Sequence, residues 1–253
     1  MKGDRFEESV KVVQSMSAPG RFLEDVLRRC GLIDGYAVVQ SPIGAVYAAM
    51  GERGITAVME ASSETEFEGR YRERFGRRVE RRDQLSAELQ NAMQRGSRAK
   101  VDLSECNPFQ RAVLEATRRI RPGTVRPYAW IAREIGHPGA VRAVGTALAK
   151  NPVPLIVPCH RVVRSDGETG EYALGADDKV RILEHEGVHV PELRRRVTMH
   201  EFWSPEGDDT FCYPFCFSEP QLHGRHFRKF QTPQEAVRLG LTPCETCHPP
   251  LAA

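Results

Sequence analysis

Two features are missing from this 253-residue sequence. No run of about 18 apolar residues occurs, so no segment reads as a helix that spans a bilayer. The opening Met1-Lys-Gly-Asp-Arg-Phe-Glu-Glu has no short apolar core of the secretory kind. A cytoplasmic protein without membrane association is therefore expected. Internal repeats are also lacking. With 40% hydrophobic and 28% charged residues, the composition excludes a disordered or collagen-like chain.

Net charge is small, at +2, but it is unevenly spread. From Asn107 to Ser165 ten Arg and Lys face only Glu115 and Glu134, a local balance of +8, whereas the chain from His200 onward carries −3. A concentrated basic stretch fits a phosphate-binding face, and it equally fits a solvated arginine-rich surface. Cysteines are few and unevenly placed. Cys30 and Cys106 stand alone and read as small hydrophobes. Cys159 is single but lies in Pro158-Cys159-His160-Arg161, and Cys212, Cys216, Cys244 and Cys247 form a set. In a reducing compartment, such a set suggests metal before disulfides.

Residues 1–34 read as a leading helical segment, from the spacing of Val10, Val13, Phe22, Val26 and Leu27. Strand character follows in Tyr36–Ser41, Ala45–Met50 and Ile55–Met59, with turns at Pro42-Ile-Gly and at Gly51 to Gly54. Residues 64–99 are rich in charge and poor in Gly and Pro, which predicts helix with a wet face. Asn107-Pro108 supplies the cap and first position of a helix running to about Ile120. Two further helices, about Tyr128–Ile135 and Ala140–Lys150, flank Gly136-His-Pro-Gly139, a helix-turn-helix pattern. The second of these is nearly bare (Ala140, Ala143, Gly145, Ala147, Ala149), with Arg142 near its start. It suits close packing in a core or close approach to a groove. Asn151-Pro-Val-Pro-Leu-Ile-Val-Pro158 reads as a stiff, extended approach to Cys159.

A thiol with a pKa of about 8.5 is mostly protonated at neutrality, so a nucleophilic cysteine needs a base or positive surroundings. His160 is adjacent, but on an extended segment it would point to the opposite face. Leu183-Glu-His-Glu186 could supply an orienting carboxylate.

Several motifs, in order and at matching intervals, resemble the catalytic domain of the O6-alkylguanine-DNA alkyltransferases (methylated-DNA–protein-cysteine methyltransferases). They are Phe109-Gln-Arg-Ala-Val, Gly123-Thr-Val-Arg-Pro-Tyr128, Ala140-Val-Arg-Ala-Val-Gly145, Asn151 through Cys159-His-Arg-Val-Val163, Gly170-Glu-Tyr172, Gly175 and His185-Glu-Gly187. The resemblance covers residues 107 to about 187 strongly and 36–100 loosely. It implies that Cys159 accepts the alkyl group irreversibly, once per molecule, without a cofactor. His160 would activate it through a water, Glu186 would orient the histidine, and Asn151 would brace the turn before the cysteine. Arg142 would fill the space of a flipped nucleotide, Tyr128 would crowd the rotated phosphate, and Tyr172 would lie beside the base. Arg161 joins the residues expected to face DNA. The implied partner is duplex DNA containing O6-alkylguanine, met by a monomer. Two positions bear on substrate and class. Ala173-Leu174 stand where the family often has a Ser-Gly-Gly-like loop, and Cys159 excludes the family's non-enzymatic relatives, which carry tryptophan there.

Cys212-x3-Cys216 and Cys244-x2-Cys247, with 27 residues between the pairs, make a four-thiolate set of the kind zinc binds tetrahedrally. The segment resembles the zinc domain of the bacterial adaptive-response protein Ada, whose first cysteine accepts methyl groups from phosphotriesters. That resemblance would cast Cys212 as a second acceptor. Phe217, Ser218 and Glu219 replace the basic residues expected after the second cysteine, which favours structural zinc.

The expected architecture is α+β. It comprises the leader over 1–34, a small β-sheet amino-terminal subdomain over 35–105, a helix-turn-helix alkyltransferase domain over 106–192, and a C-terminal zinc-binding module over 205–253. A non-catalytic DNA-lesion sensor is the alternative from another class; a thiol hydrolase is weaker, since nothing suggests an oxyanion hole.

Overall fold

The computed structural model describes residues 26, 30, 33–164, 168–170, 172–192, 201–217 and 224–249. The leader read over residues 1–34 lies outside these, apart from Val26, Cys30 and the two residues that open the first strand; so do Ser218 and Glu219. No helix among the described residues is long and apolar enough to cross a membrane.

The fold is mixed α+β, with a small amino-terminal sheet followed by a helical domain. Strands β1 (Ile33–Ser41), β2 (Gly44–Gly51) and β3 (Gly54–Met59) form the antiparallel meander expected from their turns. Alternation along them makes both faces apolar. Ala37, Val39, Val46, Ala48 and Val58 point one way, while Tyr36, Ala49, Ala57 and Met59 point the other. A register shift at Ala49/Met50 marks an irregularity in the β2–β3 pairing. Gly54 is required by two constraints: its φ is +124°, and a Cβ would lie 2.6 Å from the Lys100 carbonyl.

Helix α1 (Glu64–Phe75) is capped by Ser63 and lays Phe67 and Tyr71 on the second sheet face. It ends at Gly76 in the left-handed region. The expectation of uninterrupted helix over 64–99 needs correction, because β4 (Arg78–Arg81) leaves it and pairs in parallel with β1 at the sheet edge. Its Arg-Val-Glu-Arg sequence buries only Val79; one inward side chain is too little apolar signal to distinguish an edge strand from a wet helix. Helix α2 (Ser86–Arg95) then buries Leu89 against the first sheet face.

In α3 (Pro108–Arg118), the Asn107 side chain accepts a bond from the Gln110 amide at 2.8 Å, and Val113, Leu114, Ala116 and Thr117 turn inward. The short strand β5 (Arg126–Pro127) leads into α4 (Tyr128–Glu134); a turn with Gly136 at φ +76° leads into α5 (Val141–Ala149). The sheet does not stand apart from these helices. Its first face shares one hydrophobic core with α2, α3, α4, α5 and residues Val153, Ile156 and Val157. The Val58 amide also donates to the Pro152 carbonyl at 2.9 Å, tying the sheet edge to the loop before Cys159.

That loop is not extended, contrary to expectation. Residues 152–157 turn back on themselves, with Leu155 at φ +72° and the Val157 amide bonded to the Val153 carbonyl. Prolines fix their own φ but do not prevent a turn when the flanking apolar side chains gain burial by making one. A one-turn 3-10 segment, Cys159–Arg161, follows, then β6 (Val162–Val163), which pairs in parallel with β5, and α6 (Ala176–His185).

The tail forms β7 (Phe202–Pro205), β8 (Thr210–Phe211), β9 (Phe227–Phe230), α7 (Pro233–Arg238) and β10 (Thr242–Pro243), built on Phe202, Phe211, Phe230, Ala236 and Leu241. It packs on the helical domain: Cys212, Phe215 and Cys247 join a cluster with Val125, Val163, Leu183 and Val188.

Candidate active site

Cys159 is 4% exposed and lies in the wall of a cavity of about 620 Å³. Tyr128, Gly145, Leu148 and Ala149 line one part of it; Gly170, Tyr172, Ala173 and Ala176 line another. Helices α4 and α5 and the loop before α6 thus meet over the sulfur. The Asn151 amide donates to Cys159 Sγ at 3.0 Å and to the Val157 carbonyl at 3.1 Å, while its oxygen accepts from the Val153 amide at 3.0 Å. One buried side chain therefore holds the turn closed and places a donor on the sulfur.

The 3-10 turn also settles where His160 goes. Its ring is 1% exposed, and Nε2 lies 3.1 Å from Glu186 Oε1. Nδ1 is buried without a hydrogen-bond partner among the described residues. Burial lowers the His160 pKa, although Glu186 pulls it upward, so the imidazole is neutral. A neutral ring that donates from Nε2 leaves Nδ1 as an acceptor, the state required of a base. Tyr172 stands edge-on to this ring at 6.1 Å.

Burial would raise the Glu186 carboxyl, but hydrogen bonds from His160 and Arg161 outweigh it and hold the pKa down to about 2. Burial likewise pushes the Cys159 thiol up, opposed by the Asn151 bond and the charge of Lys179. The sulfur thus rests as a thiol and needs a proton acceptor before it can attack.

Arg161 departs from its expected place facing DNA. It is 6% exposed; Nε donates to Glu186 Oε2 at 2.8 Å and Nη1 to the Ile120 carbonyl at 2.6 Å. An arginine beside a buried carboxylate is satisfied internally, and sequence adjacency to the cysteine gave no sign of that. Arg142, by contrast, is exposed on α5, as are Ala143, Thr146 and Ala149, so the small-residue face is not absorbed into the core.

Lys179 escaped the sequence reading. It is fully buried, donates to the Val162 carbonyl at 2.6 Å and to the Thr169 carbonyl, and lies 5.9 Å from the Tyr128 ring centroid. Burial lowers its pKa to about 8, with Cys159 pulling the other way. The available signal was its place on α6, in line with the buried Ile182 and Leu183 at helical spacing.

The Sγ atoms of Cys212, Cys216, Cys244 and Cys247 lie within 4.8 Å of one another. Zinc–thiolate bonds of about 2.3 Å in a tetrahedron require sulfurs roughly 3.8 Å apart, so the set fits a tetrahedral metal.

Residues 108–188 match the family model described as the DNA binding domain of 6-O-methylguanine DNA methyltransferase. A methylated-DNA–protein-cysteine methyltransferase of Methanosarcina acetivorans is 38% identical over 157 residues, 60% of this chain and 97% of that relative. The chain belongs to the methylated-DNA–protein-cysteine methyltransferase family. Another member, from Salmonella typhimurium, is 44% identical over 96 residues, 36% of this chain and 56% of its own. The solved structure of Mycobacterium tuberculosis OGT in complex with DNA superposes with a TM-score of 0.50 at 29% identity, over 63% of this chain and 98% of that one. The family model leaves the sheet and the cysteine-rich tail outside its match.

Proposed function

We propose that this protein repairs O6-alkylguanine in duplex DNA by moving the alkyl group onto Cys159, once per molecule. The observation that carries this reading is a buried thiol lining a cavity with ample room for a nucleobase and followed by a neutral histidine held on a carboxylate. A guanine inside the stack cannot present its O6 substituent to that sulfur, so the nucleotide rotates out, at a cost of roughly a few kcal/mol. Helix α5 enters a minor groove only about 6 Å wide, which its exposed Ala143 and Ala149 permit. Arg142 takes the vacated space. Tyr128 and Tyr172 bound the extruded guanine. The cysteine proton passes through a water to His160 Nδ1, and Glu186 steadies the resulting imidazolium. Sulfur attacks the alkyl carbon, the carbon–O6 bond breaks with its electron pair left on guanine, and guanine takes up a proton at the ring. The thioether has no easy hydrolytic exit. One copy of the chain contains every named group, so a monomer suffices.

Zinc would be held by Cys212, Cys216, Cys244 and Cys247, where it cross-links a module with a small apolar core. The net −3 of the tail supports structural zinc over methyl uptake at Cys212. Duplex DNA containing O6-methylguanine, incubated with the protein and followed by intact mass, tests the main reading. A gain of one methyl, abolished by Cys159→Ser, is expected. DNA binding at unchanged mass would instead favour the lesion-sensor alternative. Phosphotriester DNA assayed on wild type and Cys212→Ser tests the tail.

A further inference from the structure

Arg126 is buried, at 4% exposure, and no carboxylate among the described residues pairs with it. Its guanidinium donates to the Val125 carbonyl at 2.7 Å, to the Phe215 carbonyl at 3.5 Å and to Cys216 Sγ at 3.6 Å, and it lies 5.6 Å from the Trp130 ring centroid. An unpaired buried cation is costly. A zinc ion on four thiolates carries two negative charges in excess, and Arg126 is a cation whose guanidinium reaches one of those sulfurs.

We infer that Arg126 is the counter-charge of the metal centre and that, through it, metal loading holds the alkyl-accepting pocket in shape. This rests on reading the four cysteines as a zinc site. Arg126 belongs to β5, whose partner β6 directly follows the Cys159–Arg161 turn. Tyr128, which lines the Cys159 cavity, comes two residues later as the first residue of α4. The same helix is tied to the tail twice more. Trp130 Nε1 donates to the Thr246 carbonyl at 2.7 Å, and His248 Nε2 lies 2.9 Å from Glu134 Oε1. The thiolates and Cys159 are therefore both packed against one short β5–α4 unit. Arg126 touches no substrate; its role is positioning.

The test uses the full chain loaded with zinc. Arg126→Met should lose zinc to a competing chelator with about 10- to 100-fold weaker affinity, the usual effect of removing a group that supports metal ligands. Arg126→Lys should recover much of that loss by keeping the charge. Hydrogen exchange read by mass spectrometry should show residues 126–134 exchanging faster in metal-stripped wild type, and faster in zinc-loaded Arg126→Met than in zinc-loaded wild type. If Arg126→Met proves insoluble, Trp130→Phe, which removes the bond to Thr246 and shrinks the buried ring beside Arg126, should shift exchange in the same segment. Wild-type zinc affinity in Arg126→Met, or unchanged exchange over 126–134 on stripping, overturns the inference. A wild-type chain that takes up no zinc overturns the zinc reading instead.

Discussion

Replacing Glu186 by Gln keeps the shape of the side chain and removes its charge, which separates the two tasks assigned to it. The folded protein holds this carboxyl at about 2 against an ordinary 4.5, through the bonds it accepts from His160 and Arg161. A displacement of that size corresponds to about 3 kcal/mol of stability. Because the folded value is the lower one, this contribution is complete above about pH 4.5. It is lost as pH falls from there through about 2. Glu186→Gln should therefore unfold at lower denaturant near neutrality. It should also show a flatter acid limb, since the titrating group is gone. Arg161 would keep the Ile120 carbonyl and an uncharged amide oxygen but lose its counter-charge, and losing one member of a buried charged pair costs roughly 3–5 kcal/mol. The amide can still accept from His160 but cannot stabilise an imidazolium by charge. A general base contributes about 10² to 10⁴ in rate, so alkyl uptake should slow by at least about tenfold to a hundredfold. Quenched time points of intact mass on O6-methylguanine duplex read the rate, and urea titrations from pH 3 to 7 read the stability. A rate within twofold of wild type, with an unchanged acid limb, would refute the coupling of Glu186 to both His160 and Arg161.

Lys179→Met removes a positive charge that favours the Cys159 thiolate, so uptake at neutral pH should fall by roughly tenfold, about one pKa unit. The folded Lys179 pKa is lowered to about 8, so wild-type stability should rise between pH 8 and about 10.5, and this rise should shrink in the variant. Arg142→Ala should slow repair of duplex DNA by about a hundredfold, the rate equivalent of a few kcal/mol of flipping cost, and leave uptake from free O6-alkylguanine base unchanged. Equal losses on both substrates would show that Arg142 does not act in flipping. Gly54→Ala should destabilise the fold by about 1–3 kcal/mol in chemical denaturation, because its φ of +124° and the Lys100 carbonyl leave no room for a Cβ.

Local signals carried much of the architecture. The meander was readable because its turns are marked by Pro42, Gly51 and Gly54, and α3 because Asn107 caps it in both sequence and structure. The α4–α5 pair was readable from Gly136-His-Pro-Gly139. Each depends on backbone preferences that act over a few residues. The places where the sequence misled are those where distant burial decides. Val79 alone places β4 at the sheet edge, and the proline-rich approach to Cys159 turns because Val153, Ile156 and Val157 find a core to enter.

The same division runs through the site. Sequence by itself marked Cys159, its neighbouring histidine and the clustered thiolates, since nucleophiles and ligand pairs at short spacing are visible in one dimension. The resemblance also pointed to Glu186 and Asn151 as partners, but tertiary structure alone decided where the buried cations go. It turned Arg161 inward onto Glu186, buried Lys179 behind the Tyr128 ring, and set Arg126 of the helical domain against Cys216 of the tail, 90 residues away. A buried charge must find compensation wherever the chain brings it. That partner is fixed by packing, and spacing along the sequence does not encode it.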